Sequence, residues 1–455
     1  MIKFQSKNDR EKSYRPEGLL VFGFLGLILI GTVLLALPAA ARDGQSIGVF
    51  NSLFTATSAV CVTGLVAVDT GTSFSLFGQI VLLALIQIGG LGFMAFATMI
   101  MVMLGRRISL KSRMLIRESM NSSSLSGLAD LTRLYLMLAL GFEFLGAALL
   151  AVRFVPMYGW GKGLWFSVFH SVSAFCNAGF DLFGNFSSLT VFAGDPLVLL
   201  TVAMLIIFGG LGFSVILEVL RIREGFRTLT LHTRIVLVLS GILLAGGTVF
   251  YLLAESFGNG VLAGRSFGEQ LLNAFFQSVT MRTAGFNSVD LGALRDGTKF
   301  VSTLLMAVGA SPASTGGGVK TTTVAALFFL ILAVVRGDNE VRVGRRSLPL
   351  DTVRRALTVI TLFLAVQVLG TVLISFFENG RFTLSDIWFE TASAMGTVGV
   401  SSIGSPNLTL ASRIVLPVMM FLGRVGPLTL ALALAGRQRR KLTASKAPEE
   451  RIMIG

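Results

Sequence analysis

The chain has 455 residues, 53% of them hydrophobic and 14% charged, with a mean hydropathy of +0.78; an ordinary soluble domain carries about 25% charged residues, so a soluble globular protein is excluded. The formal net charge of +14 lies mostly in short segments between apolar runs, which excludes the continuous basic face of a nucleic-acid binder. Two histidines and two cysteines leave almost no material for a histidine-built metal site or a disulfide framework.

Lys3, Lys7, Arg10, Lys12 and Arg15 precede the first apolar run, 19–38. That run is too long for a signal-peptide core and further spans follow it, so it reads as a retained helix. Crossing a hydrocarbon core takes about 20 helical residues, which this run and those at 77–104 and 235–253 supply. Four more basic clusters lie at 106–117, 221–234, 336–355 and 437–446. By the positive-inside rule all five face the cytoplasm, together with both termini. Each intervening segment must then go out and come back.

The first unit, 1–105, reads as an outward helix near 19–37, a short amphipathic helix over 47–59, a turn to Leu65 and a return helix over 74–104. A helix of about a dozen residues is too short to span, so it dips into the membrane and leaves again. A polar connector, 106–133, opens the second unit, 106–220, which has an outward helix at 134–152, a dipping helix at 164–175 and a return helix at 196–220. The third unit, 221–336, runs outward at 235–253, dips at 268–280 and returns from residue 300, but GASPASTGGGVKTTT interrupts the return at 309–323. Pro312 and three consecutive glycines do not belong in a regular helix, which predicts a broken helix with a mobile loop inside the membrane. Val319 separates Gly318 from Lys320 and no strand precedes them, so this is not a phosphate-binding Walker loop. The fourth unit, 337–436, runs outward at 357–376, dips at 384–395 and returns at 414–435; a cytoplasmic tail, 437–455, ends the chain.

A twelve-residue stretch recurs once per unit: FTATSAVCVTGL at 54–65, FHSVSAFCNAGF at 169–180, FFQSVTMRTAGF at 275–286 and FETASAMGTVGV at 389–400. In each, a Phe stands ten residues before a Gly: Phe54 and Gly64, Phe169 and Gly179, Phe275 and Gly285, Phe389 and Gly399. A serine stands six before the Gly in three copies (Ser58, Ser173, Ser393), with Val279 in the other. Four such stretches in register mark a repeat architecture. The fold expected is an all-α membrane protein of four pseudo-repeats, each an outward helix, a re-entrant pore helix with a filter turn, and a return helix, around one central pore.

A second match is independent of the first. IQIGGLGF at 86–93 nearly repeats as IIFGGLGF at 206–213, and FLGRVGP at 421–427 takes the same place in the fourth unit. Glycines at these positions let membrane helices approach closely. The alignment sets Arg424 opposite Gly90, and a charge so deep in a return helix should face the bundle interior.

Four turns meeting on one axis can use backbone carbonyls to replace the water shell of a small cation. The residues two before each Gly are Val62, Asn177, Thr283 and Thr397, too different to form a common side-chain ring, so carbonyls must supply it. The filter residues expected are Cys61, Val62, Thr63 and Gly64; Cys176, Asn177, Ala178 and Gly179; Arg282, Thr283, Ala284 and Gly285; and Gly396, Thr397, Val398 and Gly399. The dipping helices aim their negative ends at the same point. Asp69, Asp181 and Asp290 follow three of the glycines, with Ser401 and Ser402 in the fourth unit, and can concentrate cations at the outer mouth. Below the filter, Gly316, Gly317, Gly318, Lys320 and Arg424 are the residues expected to form a gate. Cys61 and Cys176, each three before a Gly, read as small wall residues.

Taken together, the TGL, NAGF, MRTAGF and GTVG turns, the QIGGLGF helix, the GGGVKT loop and the PEERIMIG ending resemble the superfamily of Ktr, Trk and HKT potassium transporters over essentially the whole chain, most closely the membrane subunits of bacterial Ktr systems. The resemblance implies a multi-pass protein of the bacterial inner membrane, a homodimer with one pore per protomer, and a cytoplasmic ring of RCK-domain subunits that gates it. It also implies potassium uptake that is often sodium-dependent, with potassium at the filter residues, Gly64, Gly179, Gly285 and Gly399 as filter glycines, and Arg424 as the pore arginine. Gly64, where sodium-preferring plant relatives carry Ser, favours potassium. The chain itself is expected to bind no cofactor and no nucleic acid; nucleotide acts on the partner subunit, and membrane lipid surrounds the chain. A sodium-preferring or weakly selective transporter is the alternative within the family. A membrane enzyme would need a cluster of catalytic acids, bases or metal ligands, against which the scarcity of histidine and of intramembrane carboxylates argues, with Asp290 and Glu390 left open by the sequence alone; a scaffold would not need four equally placed glycines.

Overall fold

The computed structural model describes residues 16–92, 128–222, 225–344 and 346–434. It is helical almost throughout, apart from a two-stranded hairpin that pairs Arg342–Val343 with Arg346–Ser347. The first unit is α1 (Pro16–Ala36), α2 (Val49–Val60) and α3 (Leu76–Leu91). The second is α4 (Leu128–Tyr158), α5 (Trp160–Phe175), α6 (Pro196–Leu211) and α7 (Phe213–Leu220). The third is α8 (Leu231–Glu255), α9 (Phe267–Thr280), α10 (Asp296–Ala307) and α11 (Thr321–Arg336), and the fourth is α12 (Leu350–Glu378), α13 (Leu384–Gly396), α14 (Leu410–Val425) and α15 (Pro427–Leu434).

Local sequence fixes where these helices begin. Ser75, Thr230, Thr383 and Thr409 each accept a backbone N–H of the first turn, Asp195 accepts two ahead of Pro196, and Ser266 with Glu269 forms a reciprocal capping box. Such caps satisfy N–H groups that the helix itself cannot. The outward helices exceed their expected lengths: the second starts at Leu128, six residues earlier than the apolar run, because a helix continues into polar residues beyond the hydrocarbon.

The return helices are where expectation and structure part. The third is broken as predicted, between Ala307 and Thr321, but the others are not continuous either. The second bends by 100° between Leu211 and Phe213, and the first and fourth end at Gly92 and Gly426. Gly92, Gly212 and Gly426 have φ of 82°, 90° and 90°, a left-handed conformation that only glycine adopts cheaply. A continuous return over 74–104 is therefore corrected at Gly92; residues 93–127, including the expected connector, lie outside the described ones. By length and composition three described helices can cross a membrane, α4, α8 and α12, or four with the bent pair α6 and α7.

The units close into a ring. Each pore helix packs on its own outward helix and on the return helix of the unit before it: α5 on α3, α9 on α6, α13 on α10, and α2 on α14. Lipid tails give apolar side chains no reason to leave them, so close packing has to hold such a bundle together. One glycine in each outward helix provides it. A β-carbon on Gly31, Gly146, Gly247 or Gly370 would strike side chains of the same unit: Leu85, Leu205, Ser278 and Met419 respectively. The bulky side chains left exposed, such as Phe22, Phe144, Ile242 and Leu369, suit a surface covered by lipid.

Candidate functional site

The four turns share one backbone conformation. Val62, Asn177, Thr283 and Thr397 have φ of 53°, 57°, 68° and 51°, and two residues later Gly64, Gly179, Gly285 and Gly399 have φ of 97°, 69°, 88° and 97°. Left-handed backbone costs an L-residue about 1–2 kcal/mol, and three of the four non-glycine residues are β-branched, where it is least tolerated. Strain of this kind persists where the surroundings enforce it.

Hydroxyls on the pore helices do the enforcing. Ser58 accepts the Thr63 N–H on its carbonyl at 2.8 Å and the Gly64 N–H on Oγ at 3.0 Å; Ser393 does the same for Val398 and Gly399 at 2.8 and 3.0 Å. Ser173 accepts from Ala178 N at 2.8 Å and donates Oγ to Phe180 O at 2.8 Å. Val279 has no hydroxyl, and the next residue supplies it: Thr280 Oγ1 donates to Phe286 O at 2.5 Å. The third pore helix is offset by one residue throughout. Phe54, Phe169 and Phe389 are fully buried, but in the third unit Phe276 rather than Phe275 takes that place.

The turns meet. A β-carbon on Gly64 would lie 2.6 Å from Ala178 O, one on Gly179 2.7 Å from Ala284 O and one on Gly285 2.8 Å from Val398 O, while one on Gly399 would run into Thr63 O. The contacts pass from unit one to two, three, four and back to one. Above them lies a cavity of about 360 Å³ whose lining includes all four glycines, Asp69, Asp181, Asp290, Ser401 and Ser402. Asp69 accepts from Thr72 N at 2.8 Å and from Phe186 N at 2.7 Å, Asp181 from Phe183 N at 3.1 Å, and Asp290 from Gly292 N at 2.9 Å. These acids thus shape the mouth as well as charge it. Burial pushes the Asp181 carboxyl up to about 7, with Asp69 adding to the rise and the Phe183 N–H opposing it.

Behind the mouth, the residue after the buried Phe reaches forward in the second, third and fourth units, whereas the Thr55 hydroxyl of the first meets no partner. His170 Nε2 accepts from Leu182 N at 3.2 Å, Gln277 donates to Ser288 Oγ at 3.3 Å, and Glu390 accepts from Ser401 Oγ and Ser405 Oγ, both at 2.6 Å. These braces were missed by sequence reasoning, which named Glu390 only as an acid open to a catalytic role. Their signal is a polar residue at one position of three repeats, visible once the one-residue offset of the third is allowed.

The first member of each expected quartet is set differently from the rest. Arg282 turns to α8, where its guanidinium donates to Ser240 Oγ at 3.2 Å, so its side chain does not join the ring. Cys61 and Cys176 are buried free thiols that cap α2 and α5. Gly396 is the last residue of α13, packed against Met306 O.

Below the turns sits the third unit's loop. Its Ser311 and Thr315 N–H groups donate to Gly210 O at 3.0 Å and Gly209 O at 3.1 Å, and Thr315 Oγ1 donates to Phe175 O at 3.0 Å. Gly316 and Gly317 press on the side chains of Thr283 and Thr397 so closely that neither could carry a β-carbon unless those side chains moved. Lys320 Nζ donates to Gly316 O at 2.7 Å. Arg424 closes the arrangement: its guanidinium donates to Thr315 O on one side and to Gly89 O and Gly90 O on the other. All four units therefore touch this loop or the arginine that holds it. One glycine of each of these elements packs closely as expected, since Gly89, Gly209 and Gly423 abut the carbonyls of Val60, Phe175 and Met395 with no room for a side chain, while Gly210 has ordinary contacts only. Gly309 instead meets Gly317, because the loop has replaced the direct contact.

A family model described as TrkH, a cation transport protein, matches residues 21–441. The chain is 40% identical over 446 residues to the Ktr system potassium uptake protein B of Bacillus subtilis (strain 168), covering 97% of each chain. It is 40% identical over 450 residues to that of Vibrio alginolyticus, covering 99% of this chain and 97% of the relative. The potassium/sodium uptake protein NtpJ of Enterococcus hirae is 38% identical over 451 residues, 99% of each. Among solved structures, the potassium transporter TrkH of Vibrio parahaemolyticus superposes with a TM-score of 0.68 at 17% identity, over 94% of this chain and 86% of that one.

Proposed function

The chain belongs to the TrkH family of cation transport proteins, and from that premise we propose that it is the potassium-translocating subunit of a bacterial Ktr-type uptake system. The observation behind this reading is the closed ring of Gly64, Gly179, Gly285 and Gly399, each against the carbonyl of its neighbour. Carbonyls around one axis can substitute for the hydration shell of a potassium ion, and Asp69, Asp181 and Asp290 raise the local cation concentration at the entrance. Permeation is channel-like, with the filter made of the turns at 61–64, 176–179, 282–285 and 396–399. Arg424, Lys320 and the Gly316, Gly317 and Gly318 loop form the gate, since a fixed positive charge across the conduit opposes cation flow until it moves.

The Ktr names of the relatives support assembly with a cytoplasmic regulatory subunit. We assign that role to a nucleotide-binding RCK-type ring, with the chain itself a homodimer in the bacterial plasma membrane and its termini inside. Sodium dependence belongs to the same proposal.

Potassium uptake in a transport-deficient bacterium, with wild type and Gly64→Ser compared, tests the reading. Growth and uptake restored by wild type, with sodium competing only in the variant, are expected. Failure of wild type to accumulate potassium would overturn it. The name of the Enterococcus relative, a potassium/sodium uptake protein, favours one second reading, a weakly selective cation transporter, which predicts equal competition by sodium in wild type.

A further inference from the structure

Glu143 stands in the middle of α4 within an apolar run and is only 5% exposed. A carboxylate at such a depth is expensive unless partnered, and its partner points to its use. Gln87, near the end of α3, donates Nε2 to both carboxylate oxygens, at 2.9 and 3.1 Å. Ser171 of α5 donates to the Glu143 backbone carbonyl at 2.6 Å, and Cys176 Sγ lies 3.6 Å from Gln87 Oε1. The cluster therefore joins the first return helix, the second outward helix, the second pore helix and the start of the second turn. It lines neither the mouth cavity nor the loop.

What it adjoins is the gate. Two and three residues beyond Gln87, Gly89 and Gly90 offer the carbonyls that Arg424 takes. At the end of α3 the Gly92 N–H closes onto Gly89 O at 3.3 Å, while the Gly90 carbonyl is among the last of the helix, which have no partner within it, so a shift of this one turn redirects both carbonyls that Arg424 takes. A β-carbon on Gly90 would come 2.7 Å from Cys176 Sγ, so the same turn of α3 is wedged against the residue next to Gln87. Gln87 is held by both carboxylate oxygens of Glu143, so the last turn of α3 cannot rotate without breaking both bonds.

We propose that Glu143, acting through Gln87, anchors the last turn of α3 so that Gly89 and Gly90 face Arg424, and is a positioning residue for the closed gate. The inference rests on the gate reading above and extends it to a helix pair outside the conduit.

The test is potassium flux into proteoliposomes holding the full chain alone. Glu143→Ala and Gln87→Ala are expected to raise flux about fivefold, the scale of coupling between residues in one network, with the half-saturation for potassium unchanged because neither side chain enters the ring contacts of Gly64, Gly179, Gly285 and Gly399. Glu143→Gln keeps an acceptor for Gln87 and should stay near wild type. Glu143→Ala combined with Arg424→Ala should equal Arg424→Ala alone. Should an alanine variant not fold, the pair Gln87→Leu with Glu143→Leu removes the anchor without orphaning a charge and carries the same expectation. If Arg424→Ala itself leaves flux at the wild-type level, the gate reading falls. If Arg424→Ala raises flux while the anchor variants do not, or if the effects multiply, the anchor alone is overturned.

Discussion

Gly399 sits against the carbonyl oxygen of Thr63 with no space for a β-carbon, although 336 residues of chain separate them. This contact closes the ring, since it joins the last unit to the first. Gly64, with the same φ of 97°, has its neighbouring carbonyl at a roomier 2.6 Å from a β-carbon. Alanine at either position also takes on about 1–2 kcal/mol of left-handed strain. Gly399→Ala should thus raise the half-saturation for potassium about tenfold, equivalent to about 1.4 kcal/mol, and more than Gly64→Ala does. Rubidium uptake at graded concentrations measures both, and the reverse order would contradict the ring geometry.

Arg424 binds carbonyls on two sides of the conduit, which its planar fork of donors permits. Lysine is a single point donor on a flexible stem and cannot bridge both sides. Uptake without any partner subunit should rise in Arg424→Ala and in a deletion of Gly316, Gly317 and Gly318, and rise less in Arg424→Lys.

Glu390 braces the fourth unit's mouth segment from behind, through the hydroxyls of Ser401 and Ser405. Glu390→Ala leaves the Ser401 and Ser405 hydroxyls without their acceptor, and an unmet buried group costs about 1–3 kcal/mol. The expected outcome is weaker discrimination of potassium from sodium in competition assays, with Arg424→Ala leaving discrimination as it was.

Asp181 makes the mouth responsive to pH. Its carboxyl is raised to about 7 by burial, so it is largely neutral below that value and gains its charge as pH rises through it. Uptake from sub-saturating potassium should increase between pH 6 and pH 8 by about two- to threefold, by concentration of cations at a more negative mouth, and high ionic strength should reduce the gain. Asp181→Asn should flatten the profile.

Much of this was legible in the sequence because it is written in local chemistry repeated four times. Apolar length gave the outward helices, the spacing of Phe and Gly gave the pore helices and their turns, and Pro312 with three glycines gave the broken third return. Alignment of the repeats gave Arg424 in the fourth unit the place Gly90 holds in the first and turned it to the bundle interior, where its guanidinium meets Thr315 O, Gly89 O and Gly90 O. Tertiary structure alone decided the rest. Gly92 and Gly212 read as packing glycines, yet the helices break at both, with Gly212 also pressed against Pro312 O, because whether a glycine continues a helix or turns it depends on what stands in the way. Arg282 left the filter for Ser240, and Glu143 found Gln87, through contacts 42 and 56 residues apart. The sequence by itself determined the repeated parts, since apolar run length, capping residues and the spacing of Phe to Gly are set by residues near in the chain. Only the folded chain determined which carbonyl each glycine meets and which polar groups pair, because those partners come from different units brought together by closure of the ring.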